Sequence, residues 1–413
     1  MPRPEFSKRT RRVSTSPTQW VAQEADRLRR QGVDVVDLGP GEPDFATPEH
    51  IKAAGKAALD HNFTKYTPNA GFLELREAIC ARYSSDHGVT FNPDNVIVSA
   101  GGKQALFNVA MVLLEPGDEV VTHAPGWRTI VDQVTLAEAR PVVVRTYADD
   151  GFQVRAEAIL DGLTPRTRMV VINSPGNPTG GLISEEDLRT IAIAAEARNI
   201  WIVLDLCYDR LIYETTAHNL PAVLMDLISD RSVLVGSLSK TYAMTGWRCG
   251  WAVGPKIMIE ACDNIQSHCT SGASSVSQRA GIAALTGSQA CVTTMKDEYQ
   301  TRRDTLVKWL SDESRIRCAV PSGAFYLFPD ISELLSPATL RTSLAFSTML
   351  LRRGHVAVTA GEAFDAPGFI RLSFAASLNR LREGVDRISA CIEALDRGEI
   401  RDEGMSAEGT RRE

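Results

Sequence analysis

Residues 232–254 read SVLVGSLSKTYAMTGWRCGWAVG. An apolar, β-rich run ends in Ser237-Leu238-Ser239-Lys240, and Arg248 follows eight residues after the lysine. A single lysine is usually a solvated surface charge. Lys240 instead follows an apolar strand directly, sits between hydroxyl-bearing residues, and belongs to a segment too apolar for a surface. Desolvation disfavours an ammonium in such surroundings, which suits the side chain to act as an uncharged, nucleophilic amine. Two hydroxyls and an arginine nearby are suitable ligands for a phosphate group.

Working outward, the same texture recurs. NVIVSA (95–100), EVVTHA (119–124), PVVVRTY (141–147), MVVINSP (169–175), WIVLDL (201–206) and CGWAVG (249–254) are short apolar runs. Helical stretches separate them. In GGKQALFNVAMVLL, Leu106, Val109, Ala110 and Leu113 share one face, and SEEDLRTIAIAAEARN opens with Ser184 and Asp187 in a capping-box-like arrangement. The alternation predicts an α/β fold with a mostly parallel sheet covered by helices on both faces. Near the N-terminus, WVAQEADRLRRQ (20–31) predicts a helix stopped by Gly32, then a strand VDVVDL (33–38). Thr47-Pro48 is expected to be the N-cap and first turn of the next helix. After about residue 290 a long amphipathic helix leads to AFYLFPD, HVAVTAG and FIRLSFA, the pattern of a smaller α/β domain. The expected division is an N-terminal arm with part of the small domain over 1–45, and a large domain over 46–290. A small C-terminal domain over 291–397 and a disordered polar tail over 398–413 complete it.

Composition excludes several classes. A net charge of −6 with scattered Lys and Arg argues against nucleic acid as the main partner. No stretch approaches the roughly 20 apolar residues of a membrane span, so no membrane partner is expected. The basic N-terminus lacks the apolar core of a secretory signal. The eight cysteines show no C-x-x-C pair and read as reduced thiols, mostly core fillers, of a cytoplasmic protein, and no metal site is expected from them. Gly39-Pro40-Gly41 lacks the third glycine of a dinucleotide fingerprint, and Ile97 stands where a P-loop requires glycine.

Several motifs occur together: S-x-S-K with a following G-W-R, Asp205 ending WIVLD with Tyr208 after it, NSPGNPTG around Asn177, SAGGKQALFN, APGWRTI, KYTPNAG and FIRLSFA. In this order they resemble the class I/II aminotransferases of pyridoxal 5'-phosphate (PLP) fold type I, and within them the prokaryotic aspartate aminotransferase subgroup. The resemblance runs over roughly residues 15–395. It implies that Lys240 holds PLP covalently and serves as general base and acid. Asp205 would pair with the pyridinium nitrogen, and Tyr208 and Asn177 with the ring oxygen. Gly102, Lys103, Ser237 and Arg248 would take the phosphate, joined by Tyr66 from the neighbouring subunit of a homodimer. Trp127 would stack on the ring. Arg371 and Gly41 would meet the substrate carboxylate, with Thr18 in a covering segment.

The implied reaction moves an amino group from an L-amino acid to a 2-oxo acid in ping-pong fashion, with aspartate and 2-oxoglutarate as the first expectation. The alternative on the same fold is β- or γ-elimination, replacement or ring closure, as in aminocyclopropane-carboxylate synthases. Three positions depart from the family pattern, and those at Gly126 and Trp20 bear on substrate choice. Gly126 stands where an aromatic residue is frequent and is expected to open space. Leu206-Cys207 stands within a D-E-x-Y pattern, and Trp20 where a small residue is common.

Overall fold

The structure is a computed structural model that describes residues 6–13, 17–213, 218–336 and 340–399. In chain order the strands are β1 (Val36–Asp37), β2 (Val96–Ser99), β3 (Glu119–Ala124), β4 (Arg140–Arg145), β5 (Thr167–Asn173), β6 (Trp201–Asp205), β7 (Ser232–Ser237), β8 (Gly250–Val253), β9 (Tyr326–Leu327), β10 (Val356–Ala357), β11 (Thr359–Ala360) and β12 (Ile370–Ser373). The chain divides into two compact units. One takes in Glu42–Asp297, Ser322–Ala324 and the described part of Met1–Ser14. The other takes in the described parts of Thr15–Gly41, Glu298–Pro321 and Phe325–Glu413.

The first unit is built on a seven-stranded sheet in the order β2-β8-β7-β6-β5-β3-β4. Neighbours from β7 to β4 are parallel, while β8 runs antiparallel to both β2 and β7. Successive strand residues point to opposite faces. Val98, Ile172, Leu204 and Leu234 therefore enter one apolar core, and Ile97, Val171, Val203 and Val235 another. Burial on both faces is why these strands read as unbroken apolar runs. Each such side chain contributes about 1.5–3 kcal/mol when fully buried. The edge strand β4 is only half-buried and carries exposed Arg140 and Arg145 at its ends, charges that discourage pairing with a further strand.

Local signals hold with one adjustment. Ser184 caps the helix Glu185–Ala197, its Oγ accepting the Asp187 N–H at 2.9 Å. The Asp187 carboxylate accepts the Ser184 hydroxyl at 2.6 Å through Oδ2, and its Oδ1 accepts the Ala156 N–H at 2.8 Å, tying two helices together. The helix Glu49–Asp60 is capped at Pro48 without a side-chain bond, which corrects the expectation for Thr47. That hydroxyl donates to the Ala243 carbonyl at 2.6 Å and accepts from Trp247 Nε1 at 3.1 Å. A tertiary contact has outcompeted the local cap.

In the second unit β1 pairs in parallel with β10, and β11-β12-β9 form an antiparallel sheet. The long helix Leu378–Asp396 lies against β1 at Gly384, where a Cβ would come within 2.9 Å of Leu38. The run VDVVDL yields only two strand residues, matching the two that its partner β10 offers. Asp34 binds Arg380 and Arg387, and Asp37 binds Arg29 and the Gly39 N–H. Gly32, at φ +82°, follows the helix Pro17–Arg30, as its sequence position predicts. The expected tail lies, from residue 400 onward, outside the described residues. Among the described residues no helix is long and apolar enough to cross a membrane. The eight cysteines are unpaired, and Cys80, Cys249, Cys262 and Cys391 are buried.

Candidate active site

Strand register assembles the site. Asn173 is level with Asp205, Asp205 with Val235, Ser237 with Gly250, and Gly250 with Ser99. The C-terminal ends of β2, β5, β6 and β7 thus share one edge of the sheet, where open α/β sheets bind ligands.

From that edge each segment contributes a group. Asp205 is 1% exposed and accepts the Cys207 N–H at 3.1 Å. Burial pushes its carboxyl above the ordinary range, while the hydrogen bonds from Cys207 and the charge of Lys240 oppose that rise. Lys240 lies half-buried on the short helix Leu238–Thr241, which Ser237 caps by accepting the Ser239 N–H at 3.0 Å. The Ser237 and Ser239 hydroxyls are 2.8 Å apart. Tyr208 is buried in the turn after β6.

Asn173 ties two of the loops together. Its Oδ1 accepts the Asn177 N–H at 2.9 Å, and its Nδ2 donates to the Asp205 carbonyl at 3.3 Å. Its own N–H is accepted by His123 Nε2 at 3.3 Å. Burial lowers the His123 ring to about 4, which keeps it a neutral acceptor. Both prolines of NSPGNP follow cis peptide bonds, as does Pro125.

The start of the helix Gly102–Leu113 is shaped by absent side chains. Gly101 adopts φ +87° and ψ 163°, a conformation essentially reserved for glycine. A Cβ there would lie 2.6 Å from Arg248 Nη2. Arg248 is held by the Thr245 and Ala100 carbonyls at 2.8 and 3.2 Å. A Cβ on Gly102 would lie 3.1 Å from Cys207 Sγ, and one on Gly250 would lie 2.4 Å from the Gly102 nitrogen. First-turn N–H groups have no intrahelical partners, so this helix start presents donors beside a guanidinium.

Trp127 is half-buried beneath the Lys103 ammonium, 4.9 Å from its ring centroid. Partial burial and the like charge of Arg248 lower the Lys103 ammonium from its usual range. Gly126 does not open space as its small size suggested. A Cβ there would stand 2.4 Å from the His123 carbonyl oxygen, so the glycine permits a close turn before Trp127. Tyr66 is 99% exposed and is not brought together with these groups.

Within the second unit, Arg371 on β12 is 4% exposed and donates from Nη2 to the Gly39 carbonyl at 2.6 Å. Its guanidinium lies 4.4 Å from the Tyr326 ring centroid, and a Cβ on Gly41 would come within 3.8 Å of both terminal nitrogens. Thr18 falls in the helix Pro17–Arg30, and its side chain, like Ser16 and the side chain of Trp20, lies outside the described residues.

A family profile described as aminotransferase class I and II matches residues 33–388. The chain belongs to this family. Among curated proteins, this class I and II aminotransferase is 37% identical to an aspartate/prephenate aminotransferase of Nitrosomonas europaea, covering 94% of this chain and 100% of that one. It is 38% identical to an aspartate aminotransferase of Geobacillus stearothermophilus, covering 94% and 99%. Among solved structures, the Thermus thermophilus aspartate aminotransferase with maleate superposes with a TM-score of 0.89 at 38% identity, covering 94% and 100%. The fold is PLP fold type I, and the aminotransferase is a PLP-dependent transferase.

The residues present fit that cofactor. A helix start, two hydroxyls and a guanidinium form a donor set for a phosphate dianion, and the missing Cβ of Gly101 is what lets the Arg248 guanidinium lie against that helix start. A buried carboxylate at a strand end suits a protonated ring nitrogen. Asn173 and His123 join the site, although the motifs quoted above imply no role for either. Their signal was present in polar residues closing the apolar runs MVVIN and EVVTH.

Proposed function

We propose that this aminotransferase moves the amino group of aspartate or a similar acidic L-amino acid to a 2-oxo acid, with Lys240 as its catalytic base and acid. The observation that carries the assignment is the shared edge at which β6 presents Asp205 and β7 ends in Ser237 and leads into the helical turn of Lys240. The names of the relatives support the substrate class and favour transfer over elimination or replacement.

When bound, PLP supplies an electron sink for the pair released from the substrate Cα–H bond. The chain's own groups do the rest. Lys240 Nζ removes the α-proton and returns it on the cofactor side, which requires an uncharged amine at the moment of transfer. Asp205, 1% exposed, would hold a proton at the ring nitrogen by charge pairing, screened little by bulk solvent. The Tyr208 hydroxyl and Asn177 amide donate to the ring oxygen, and Trp127 stacks on the ring. The N–H groups of Gly102 and Lys103, with Ser237 and Arg248, hold the phosphate. The Lys103 ammonium over Trp127 offers a partner for the second carboxylate of an acidic substrate. Arg371, with its planar fork, suits the α-carboxylate of the substrate, and Gly41 beside it allows close backbone approach. Tyr66, wholly exposed in one chain, suits the phosphate of a neighbouring subunit in a homodimer.

A visible absorption titration of the purified, PLP-loaded protein tests this reading. Aspartate should convert the band of the Lys240-linked cofactor to that of the aminated cofactor, and 2-oxoglutarate should restore it. Lys240→Ala should lack the first band. A persistent band with every amino acid tried, or a released leaving group in place of amino transfer, refutes it.

A further inference from the structure

Beyond the turn that carries Asp205, Cys207 and Tyr208 lie four charges with no part in the chemistry above. Arg82 and Asp86 stand one turn apart on the helix Leu73–His87. Asp209 and Arg210 belong to the segment that follows Tyr208. Arg82 Nη2 meets Asp209 Oδ2 at 2.8 Å, Arg82 Nε meets Asp86 Oδ2 at 3.1 Å, and Arg210 Nη1 meets the same Asp86 oxygen at 2.6 Å. The Arg82 and Asp209 side chains are only 9% and 14% exposed. Two cations and two anions sum to zero, which burial of this degree demands. Trp251, its ring centroid 5.8 Å from the Arg82 guanidinium, packs beside the quartet.

The backbone couples these charges to the site. The Asp209 N–H donates to the Leu206 carbonyl at 3.1 Å, and the Leu211 N–H to the Tyr208 carbonyl at 2.8 Å. The Cys207 N–H caps Asp205 Oδ1. One short turn therefore has its inner face at Asp205 and its outer face locked to a helix by Arg82.

We propose that Arg82, Asp86, Asp209 and Arg210 are positioning residues, a neutral clamp that fixes the Asp205–Tyr208 turn and sets the electrostatic potential at Asp205. The proposal rests on the assignment of Asp205 to the cofactor ring. Among the described residues, Cys207, Asp209 and Lys240 are charged or titratable groups that act on the Asp205 carboxyl. Desolvation and then the negative charge of Asp209 raise its carboxyl, while Cys207 and Lys240 lower it. Arg82 faces Asp209, Tyr242, Tyr83 and Asp86. It offsets the Asp209 charge at its source, so deleting either partner changes the potential at Asp205 with opposite sign.

The test is a pH titration of the visible band in PLP-loaded protein. Asp209→Asn removes a negative charge, so the cofactor-linked proton should leave more readily and the midpoint should fall. Arg82→Met removes a positive charge, and the midpoint should rise. Each displacement should be roughly half a pH unit or more. Arg82→Lys keeps the charge and should stay near wild type. Loss of packing alone would move both neutral variants the same way, so parallel shifts, or none, overturn the proposal. If Arg82→Met does not fold, Asp209→Asn against Arg82→Lys decides, since only the former should lower the midpoint. A wild-type protein without any PLP band would instead overturn the assignment of Asp205, and the clamp with it.

Discussion

Gly101→Ala isolates the phosphate end of the site. Two costs follow from the geometry. The backbone at φ +87°, ψ 163° lies in a region essentially closed to residues with a Cβ, and forcing alanine into it costs on the order of 1–3 kcal/mol. The new methyl would also stand 2.6 Å from Arg248 Nη2, so the guanidinium must leave its place beside the helix start. Loss of one charge-assisted hydrogen bond to the phosphate is worth about 1.5–3 kcal/mol. At about 1.4 kcal/mol per tenfold, PLP should bind roughly ten- to a hundredfold more weakly. Gly151→Ala is the matched control. It too has positive φ, at +69°, but nothing lies within 4 Å of its added Cβ. It should lose about 1–2 kcal/mol of stability and no cofactor affinity. The assay is absorbance titration of cofactor-free protein with PLP, alongside thermal melts of each variant. If Gly101→Ala melts lower yet binds PLP as tightly as the control, Arg248 and the helix start do not hold the phosphate, and the argument fails.

Two further predictions concern acid stability. His123 is depressed from 6.5 to about 4 by burial, so the folded state binds fewer protons than the unfolded one between those values. Stability should be lost progressively as pH falls from about 6.5 to about 4, by roughly 3 kcal/mol at most. His123→Asn should be less stable at pH 8 but lose less over that window, and parallel melting curves for variant and wild type would count against the neutral-ring reading. Glu119, at the opposite end of β3, is held at about 2 by hydrogen bonds from Arg140, Thr164 and Arg166, so its contribution is full above about 4.5 and disappears toward pH 2. Glu119→Gln should lower the melting temperature at neutral pH while leaving PLP affinity unchanged. A weakened cofactor would contradict the separation of the two sheet ends.

The parallel sheet and the lysine that follows its strand Ser232–Ser237 were legible because both depend on short-range pattern. Strands buried on two faces must be apolar throughout, and a lysine placed directly after such a run is conspicuous against its surroundings. What escaped depends on partners distant in sequence. Thr47 reads as a helix cap until Ala243 and Trp247, some 200 residues on, claim its hydroxyl. Gly126 reads as an opening until the His123 carbonyl occupies the place of its Cβ. Arg82 and Asp209, separated by 127 residues, carry no shared periodicity at all. The antiparallel run of β8 was equally silent, since its apolar sequence is the same in either direction. In the second unit, the run VDVVDL pairs over only two residues because its mate, some 320 residues on, is itself only two residues long.

The interleaving of the two units has a consequence for how the chain is made. All seven strands of the large sheet have left the ribosome once Val253 has emerged. At that moment β1 has no mate, because β10 begins at Val356. Ser322–Ala324 must then return to the first unit, where Gly323 and Ala324 donate to the Gly180 and Leu211 carbonyls. Vectorial synthesis therefore favours early assembly of the sheet that bears Asp205 and Lys240, and leaves the opening segment waiting for the last quarter of the polypeptide. Nascent chains stalled before residue 356 should already protect the large sheet from protease, while the segment around β1 stays open to cleavage.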